Sequence, residues 1–258
     1  LPADNLKIPN GAALYIAKVG QPIGMMYGAL TDGLYQYEDF RKGSDGSWIL
    51  RDDVVSQSTH ANRKGVFPGY QKFKDLNGDL QITQEDLTII GNPNPDFTGG
   101  ITNTFRFYNF DMSLFFTFSY GNDILNMNRY YLEEGRSLSS NQFASYADRW
   151  TVDNPNGKLP RARSANNTAW GSDRYVEDGS YLRLKNLNIG YTLPVQVSQR
   201  FFVSNMRIYF SAQNLFTVTG YSGQDPTVST MSNARTPGYD YSAYPVPRTF
   251  IFGAQISF

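Results

Sequence analysis

The segment DMSLFFTFSY, from Asp111 to Tyr120, keeps a period of two over ten positions, with Phe115 the one apolar residue on its polar face. Successive side chains of a β-strand point to opposite faces, so this segment is predicted to be a strand with one apolar face. A tilted strand needs about 9–11 residues to cross a bilayer, which is the length found here. The apolar face consists of Met112, Leu114, Phe116, Phe118 and Tyr120.

Several other segments repeat this alternation, and we count about seven or eight predicted strands in all. Tyr181–Tyr191 changes phase midway, which a β-bulge or a strand leaving the membrane band explains. The remaining strands are predicted around Ala12–Lys18, Ile23–Tyr37, Ile101–Tyr108, Met206–Gln213 and Thr249–Phe258.

The predicted strands are joined by connections of two very different lengths. A turn of a few residues around Tyr108 to Phe110 joins two of them, whereas Tyr37–Thr98 and Gly121–Gly179 are each about sixty residues long. Helical spacing after Asn122 or Asp123 predicts one helix in the second long connection. Short turns on one side and long loops on the other are typical of outer-membrane barrels.

A soluble β-sandwich with one polar face explains the alternation equally well. It explains the ten-residue strands and the unequal connections less well. About eight strands close only a small barrel, so we expect further strands before Leu1. The opening stretch also lacks the features of a signal peptide, and a targeting segment is expected upstream.

Composition argues against several classes of function. Lys and Arg total 23 and Asp and Glu total 23, so there is no excess of positive charge to attract nucleic acid. With no cysteine and His60 as the only histidine, neither a zinc site of the usual kind nor a Ser-His-Asp triad is expected. The sequence contains no run of 18 apolar residues, so no transmembrane helix is predicted. The chain is therefore not expected to be an enzyme.

One segment has the spacing of a calcium-binding loop, DLNGDLQITQED from Asp75. Calcium takes about 6–8 oxygen ligands, which loops of this type supply at alternating positions. The predicted ligands are Asp75, Asn77, Asp79, the backbone carbonyl of Gln81, and Asp86. Leu80 stands where such loops need glycine, and Asp86 is shorter than the usual Glu. An Asx-rich turn leading into the next strand is the alternative interpretation.

Longer motifs, spread in order along the chain, resemble the C-terminal region of SusC/RagA-like TonB-dependent transporters. They begin at Val19, Phe67, Ala147, Glu177, Arg207 and Pro237, and read VGQPIGMMYGALTDGLYQ, FPGYQKFKDLNGDLQITQEDLTIIGNPNPDFTGGI, ADRWTVDNPNGKLPR, EDGSYLRLKNLNIGYTLP, RIYFSAQNLFTVTGYSGQDPTV and PGYDYSAYPVPRTFIFGAQISF. The resemblance implies that residues 1–258 are the last part of an antiparallel transmembrane β-barrel of about 22 strands, with long extracellular loops. The plug and the segment that touches TonB would precede Leu1.

The resemblance also implies a function, a location and partners. The chain would form barrel wall and loops of an active importer in the outer membrane of a Gram-negative bacterium, surrounded by lipid. TonB would energise the import of oligosaccharides or oligopeptides, and a SusD-like surface lipoprotein would cover the entrance. Two transporter–lipoprotein pairs would associate as a dimer. A soluble extracellular carbohydrate-binding β-domain is the alternative function, and dependence on detergent distinguishes the two.

Overall fold

The computed structural model describes residues 5–10, 13–58, 63–135, 140–162, 171–230 and 233–258. The chain divides into two compact units whose segments alternate along the sequence. The mixed unit contains Leu1–Asn94, Asp123–Glu177 and Val228–Ser242. The sheet unit contains Pro95–Asn122, Asp178–Thr227 and Ala243–Phe258.

The described residues contain sixteen strands and two short α-helices, with 3-10 turns between them. The α-helices are α1 (Met127–Leu132) and α2 (Val195–Ser198). None of the helices in the described ranges is long and apolar enough to cross a membrane. The strands are β1 (Asn5–Asn10), β2 (Ala13–Lys18), β3 (Met25–Ala29), β4 (Thr31–Leu34), β5 (Phe40–Lys42), β6 (Trp48–Leu50), β7 (Gln71–Phe73), β8 (Leu87–Gly91), β9 (Phe97–Phe107), β10 (Phe110–Tyr120), β11 (Asp123–Asn126), β12 (Val176–Asp178), β13 (Tyr181–Thr192), β14 (Asn205–Thr219), β15 (Tyr239–Asp240) and β16 (Thr249–Ser257).

The sheet unit is built on one five-stranded antiparallel sheet in the order β16-β14-β13-β10-β9. Its strands are 9 to 15 residues long. A turn at Tyr108 and Asn109 joins β9 to β10, and Tyr108 adopts a left-handed φ of 51° there. Alternation in the sequence predicts all five strands, although β14 continues beyond the predicted end at Gln213.

The phase change predicted in Tyr181–Tyr191 is a β-bulge. Leu184 and Asn186 pair with Phe116 and Phe115, which leaves Lys185 without a partner on β10. On the other side the register passes from Phe216 directly to Gln213. The bulge restores the apolar residues of both halves of β13 to the same face, which an unbroken strand of this sequence would not do.

The mixed unit contains the shorter strands, in a four-stranded sheet (β1-β2-β3-β8), a three-stranded sheet (β12-β11-β15) and two hairpin-like pairs. Its packing rests on three clusters of buried apolar side chains. The largest brings together residues that are far apart in sequence, namely Tyr15, Met26, Leu125, Met127, Tyr130, Tyr175 and Tyr239. The long connections are therefore folded and contribute to buried cores.

Two predictions in the mixed unit were wrong in detail. The helix expected from Asn122 or Asp123 begins only at Met127, because Leu125 and Asn126 pair in parallel with β15 and form β11. The single strand expected over Ile23–Tyr37 is two strands, since β3 pairs with β8 and β4 pairs with β7. In both places long-range pairing overrides the local pattern.

Candidate functional site

The five-stranded sheet has one continuous apolar face. Directly paired residues of antiparallel strands lie on the same face, so the register identifies its members. Its apolar members are Phe97, Ile101, Phe105 and Phe107 of β9, Phe110, Met112, Leu114, Phe116, Phe118 and Tyr120 of β10, Leu182, Leu184, Leu187, Ile189 and Tyr191 of β13, Met206, Ile208, Phe210, Ala212, Phe216 and Val218 of β14, and Phe250, Phe252, Ala254 and Ile256 of β16. The register also places Gly99 and Asn103 of β9 on this face.

Apart from the buried Leu184 and Ala212, this apolar face is open and is not a core. Phe107 is 71% exposed and Phe252 is 80% exposed, and the three clusters of buried residues found in the described ranges all belong to the mixed unit. Monomeric soluble proteins rarely expose so large a contiguous apolar surface. An 11-residue strand such as β10 is about 36 Å long, and a tilt of about 45° reduces this to about 26 Å along a membrane normal. The face therefore has the height of the apolar band of an outer-membrane barrel.

The opposite face of the sheet is polar on all five strands. Hydroxyl and amide side chains predominate, and pairs of them meet across strands, as where the Ser211 hydroxyl donates to Asn188 Oδ1. The register places on this face Thr102, Thr104 and Arg106 of β9, Asp111, Ser113, Phe115 and Thr117 of β10, Arg183, Asn186 and Asn188 of β13, Arg207, Tyr209, Ser211 and Gln213 of β14, and Thr249, Ile251 and Gln255 of β16. Such a face suits contact with water and polar solutes.

An ion pair lies on the polar face, at the end where β9 turns into β10. Arg207 donates from Nη2 to Asp111 Oδ2 over 2.6 Å and from Nε to Asp111 Oδ1 over 3.2 Å. Gly190 makes room for the pair, because a β-carbon there would overlap with the guanidinium of Arg207. The pair forms one wall of a cavity of about 530 Å³ that Arg106 also lines. Arg106 stands opposite Asp111 in the register.

A second ion pair holds a loop against the polar face near the other end of the sheet. Arg183 donates to Asp225 Oδ2 over 2.7 Å and to Thr217 Oγ1 over 2.8 Å, and both charged side chains are more than nine-tenths buried. Desolvation by burial acts to raise the pKa of Asp225, but hydrogen bonds from Thr227 and Arg183 outweigh it and lower that pKa. The pair therefore fixes the segment that follows β14 as a charged couple at neutral pH.

The predicted calcium loop forms a chain of Asx turns. Asp75 accepts the backbone N–H groups of Gly78 and Leu80, each over 2.7 Å. Burial acts to raise the pKa of Asp75, yet the backbone donors around it lower that pKa. Asn77 Oδ1 accepts from the N–H of Asp79 over 3.0 Å, and Asp79 Oδ1 accepts from that of Gln81 over 2.7 Å. These contacts are the ones that the Asx-turn interpretation predicts.

Asp86 ties the two ends of this loop together. The side chain is fully buried, and its Oδ1 and Oδ2 accept the backbone N–H groups of Leu76 and Thr83 over 2.9 and 2.7 Å. In the described part of the chain no three His, Cys, Asp or Glu side chains are grouped so that they could hold a metal ion. Calcium binding stays a prediction, which calorimetry with calcium on the purified protein tests. His60 lies outside the described residues.

Sequence reasoning did not find the two ion pairs of the polar face. Their members are 96 and 42 residues apart in sequence. A usable signal was present, since Arg106, Asp111, Arg183 and Arg207 are charged residues at strand positions where uncharged side chains predominate. What the sequence could not supply was the strand order that brings Arg207 to Asp111 and the course of the segment after β14 that brings Asp225 to Arg183.

Comparison with known proteins adds the family context. No protein-family model matches the chain. The TonB-dependent receptor P3 of Formosa agariphila is 36% identical over 98% of this chain, which spans 25% of that protein. The TonB-dependent receptor P26 of the same organism is 32% identical over 83% of the chain and 22% of its own length. The TonB-dependent receptor SusC of Bacteroides thetaiotaomicron is 26% identical over 72% of the chain and 17% of its length.

Solved structures agree on the fold. The RagAB peptide importer in its closed-closed state matches 100% of this chain and 25% of the matched chain, with a TM-score of 0.70 at 23% identity. In its open-open state the TM-score is 0.65. The resemblance read from the motifs and the all-β fold of a barrel protein are thereby confirmed. The relatives are receptors and transporters, not enzymes, as expected. The strand number of about 22 stays a prediction.

Proposed function

Since this chain is related to the SusC/RagA-like TonB-dependent receptors and spans about a quarter of their length, we propose that it forms barrel wall and extracellular loops of an active outer-membrane importer. The two-faced sheet carries the proposal. Its apolar face meets lipid, and its polar face lines the lumen. The mixed unit supplies the folded long connections.

The edges of the sheet support the same proposal. Strands β9 and β16 lie at the two ends of the strand order, and within the described residues each has one edge without a partner in the sheet. Unpaired backbone N–H and C=O groups are not tolerated in the hydrocarbon region, where only helices and closed barrels span. Five strands are too few to close a barrel. Other strands of the whole protein must therefore pair with β9 and β16.

The proposal extends to the transported molecule and to the partners, for which the relatives give support. We propose oligosaccharides or oligopeptides as the substrate class, energy supplied through TonB, and a SusD-like surface lipoprotein that acts with the transporter. The solved importers are described as peptide importers, which favours peptides among these classes. Pairing of two transporter–lipoprotein units belongs to the same proposal.

The first experiment is a semi-native gel of the full-length protein from outer membranes, boiled and unboiled. A closed barrel migrates faster unboiled and shifts on boiling to a mass about four times the 29.1 kDa of this chain, as expected if the chain spans 25% of the whole. A tagged protein extracted in detergent should also bring down a SusD-like lipoprotein. A species near 29.1 kDa that stays in solution without detergent and does not shift would contradict the transporter and favour a soluble carbohydrate-binding domain.

A further inference from the structure

The cavity beside the Asp111–Arg207 ion pair has a surplus of positive charge. Two guanidinium groups, of Arg106 and Arg207, face a single carboxylate, that of Asp111. Arg106 forms no hydrogen bond or ion pair with any residue of the described ranges. The local charge is therefore +1, on the polar face of a sheet whose other face is apolar.

The donors of the cavity also outnumber its acceptors. Each guanidinium has five N–H donors, and Arg207 uses its Nε and one N–H of Nη2 on Asp111. Three donors of Arg207 and all five of Arg106 are left without an acceptor in the described protein. Arg106 is exposed and Arg207 is partly exposed, so a ligand can reach these donors, and one that is rich in acceptors and negatively charged would satisfy them.

The cavity is held in shape by its surroundings. Asn109 Nδ2 donates to the carbonyl of Thr192 over 2.7 Å, and the N–H of Thr192 donates to the carbonyl of Asn109 over 2.9 Å. These two bonds fix the turn to the end of β13, while Gly190 leaves the space in which Arg207 lies against Asp111. The two guanidinium groups are thus presented from β9 and β14, on strands whose register is set by the sheet.

From this charge and donor balance we infer that Arg106 and Arg207 form a carboxylate-binding site on the lumen side of the wall. One carboxylate makes the site neutral, and its planar pair of oxygens matches the fork of a guanidinium. A phosphate, with a charge of about −1.5 to −2 at pH 7, would leave the site negative. The inference rests on the proposed function, because only in a barrel does this face line a lumen.

The carboxylate has two sources that share this chemistry. It is supplied either by another segment of the full-length protein or by the free end of a peptide in the lumen. Both place an acceptor against Arg106, and chemical cross-linking distinguishes them.

The test uses the full-length protein in detergent with Arg106→Lys, which keeps the charge and provides an amine. A carbodiimide joins that amine to any carboxylate in contact with it, and mass spectrometry identifies the linked peptide. The reaction is run with and without N-acetylated tri-alanine, whose only charge is its terminal carboxylate. A link to another segment of the protein identifies the internal source, and a link to the added peptide identifies the free one.

Arg200→Lys is the matched control, because Arg200 is exposed in the turn after α2 and lies outside the cavity. The amine introduced by Arg106→Lys should give about tenfold more product linked to carboxylates other than Asp111 than the amine introduced by Arg200→Lys gives in total, as expected for a held partner over random encounter. Links from the Arg106→Lys variant only to Asp111, or no more product than from the control variant, would overturn the inference. The heat shift on the semi-native gel is measured on the same samples, so failure of the barrel and failure of the site are distinguished.

A second measurement needs no variant. Phenylglyoxal modifies exposed guanidinium groups, and its rates at Arg106 and Arg200 are compared in the unsubstituted protein with and without the tripeptide. Arg106 should react about tenfold more slowly than Arg200 in at least one of the two conditions. Equal rates in both would contradict a carboxylate site.

Discussion

Replacing Phe116 by Arg should destabilise the barrel strongly. Phe116 is six residues beyond Phe110, the first residue of β10. Six residues of strand cover about 20 Å, which a tilt of about 45° reduces to about 14 Å, close to the middle of an apolar band about 25 Å tall. The side chain lies on the apolar face between Ile101 and Leu184. Arg at the midplane of the lipid face costs about 2–4 kcal/mol, a factor of about 30 to 700 in the folding equilibrium.

The neighbouring residue provides the control. Phe115 lies at almost the same depth but on the polar face, opposite Thr102 and Asn186. Phe115→Arg removes the same ring and adds the same charge, yet its guanidinium meets water, so we expect a cost of about 1 kcal/mol, typical of a point substitution. The measurement is a guanidinium chloride titration of the full-length protein in lipid vesicles, scored by the fraction that keeps the fast unboiled gel band. Equal midpoints for the two variants would refute the assignment of this face to lipid.

Three further changes test individual contacts. Asp225→Ala leaves Arg183 buried without a counter-ion, a loss of about 3–5 kcal/mol, and should expose Gly220–Thr227 to protease. Because the pKa of Asp225 is lowered, its contribution is present above the ordinary pKa of about 3.9 and is lost only as pH falls through the lowered value, so protection in the unsubstituted protein should persist at about pH 4. Asp86→Asn should lower the stability of the loop by about 1–3 kcal/mol and increase proteolysis after Asp75 equally with calcium or with a chelator. An effect seen only with calcium would contradict the role of Asp86 in tying the ends of the loop together. Gly253→Val places a β-carbon against the Tyr209 ring, closer than van der Waals contact allows. It should lower the stability of the barrel by about 1–3 kcal/mol, which is seen as a weaker fast band on the unboiled gel. Adding Tyr209→Ala should restore part of that band.

The sequence predicts the sheet far better than it predicts the mixed unit. Strands β9, β10, β13, β14 and β16 each have an apolar side and a polar side, so a period of two runs along most of their length. The phase change in β13 is visible in the sequence for the same reason, and the bulge at Lys185 accounts for it. The alternation of apolar and polar residues along each strand is a local pattern, so it can be recognised in the sequence.

In the mixed unit the determining contacts are long-range. The helical spacing after Asn122 is real, but Leu125 and Asn126 gain backbone partners more than a hundred residues away in β15. The ion pairs Asp111–Arg207 and Arg183–Asp225 depend on strand order in the same way. The pattern of a single sequence does not identify such long-range partners. It shows only that a charged residue occupies a polar position of a strand.

The long connection between β10 and β13 leaves the sheet and returns to it at adjacent points. Ser119, next to the end of β10, is paired directly with Tyr181, the first residue of β13. About sixty residues lie between them, yet their number does not enter the register of the wall. The register of the sheet therefore does not depend on the length of that excursion, whereas Leu125, Met127, Tyr130 and Tyr175 within it must still fill the buried cluster that they share with Tyr15, Met26 and Tyr239. Length is thus free along the sheet, but an excursion exchanged between relatives has to be moved together with its partners in that cluster.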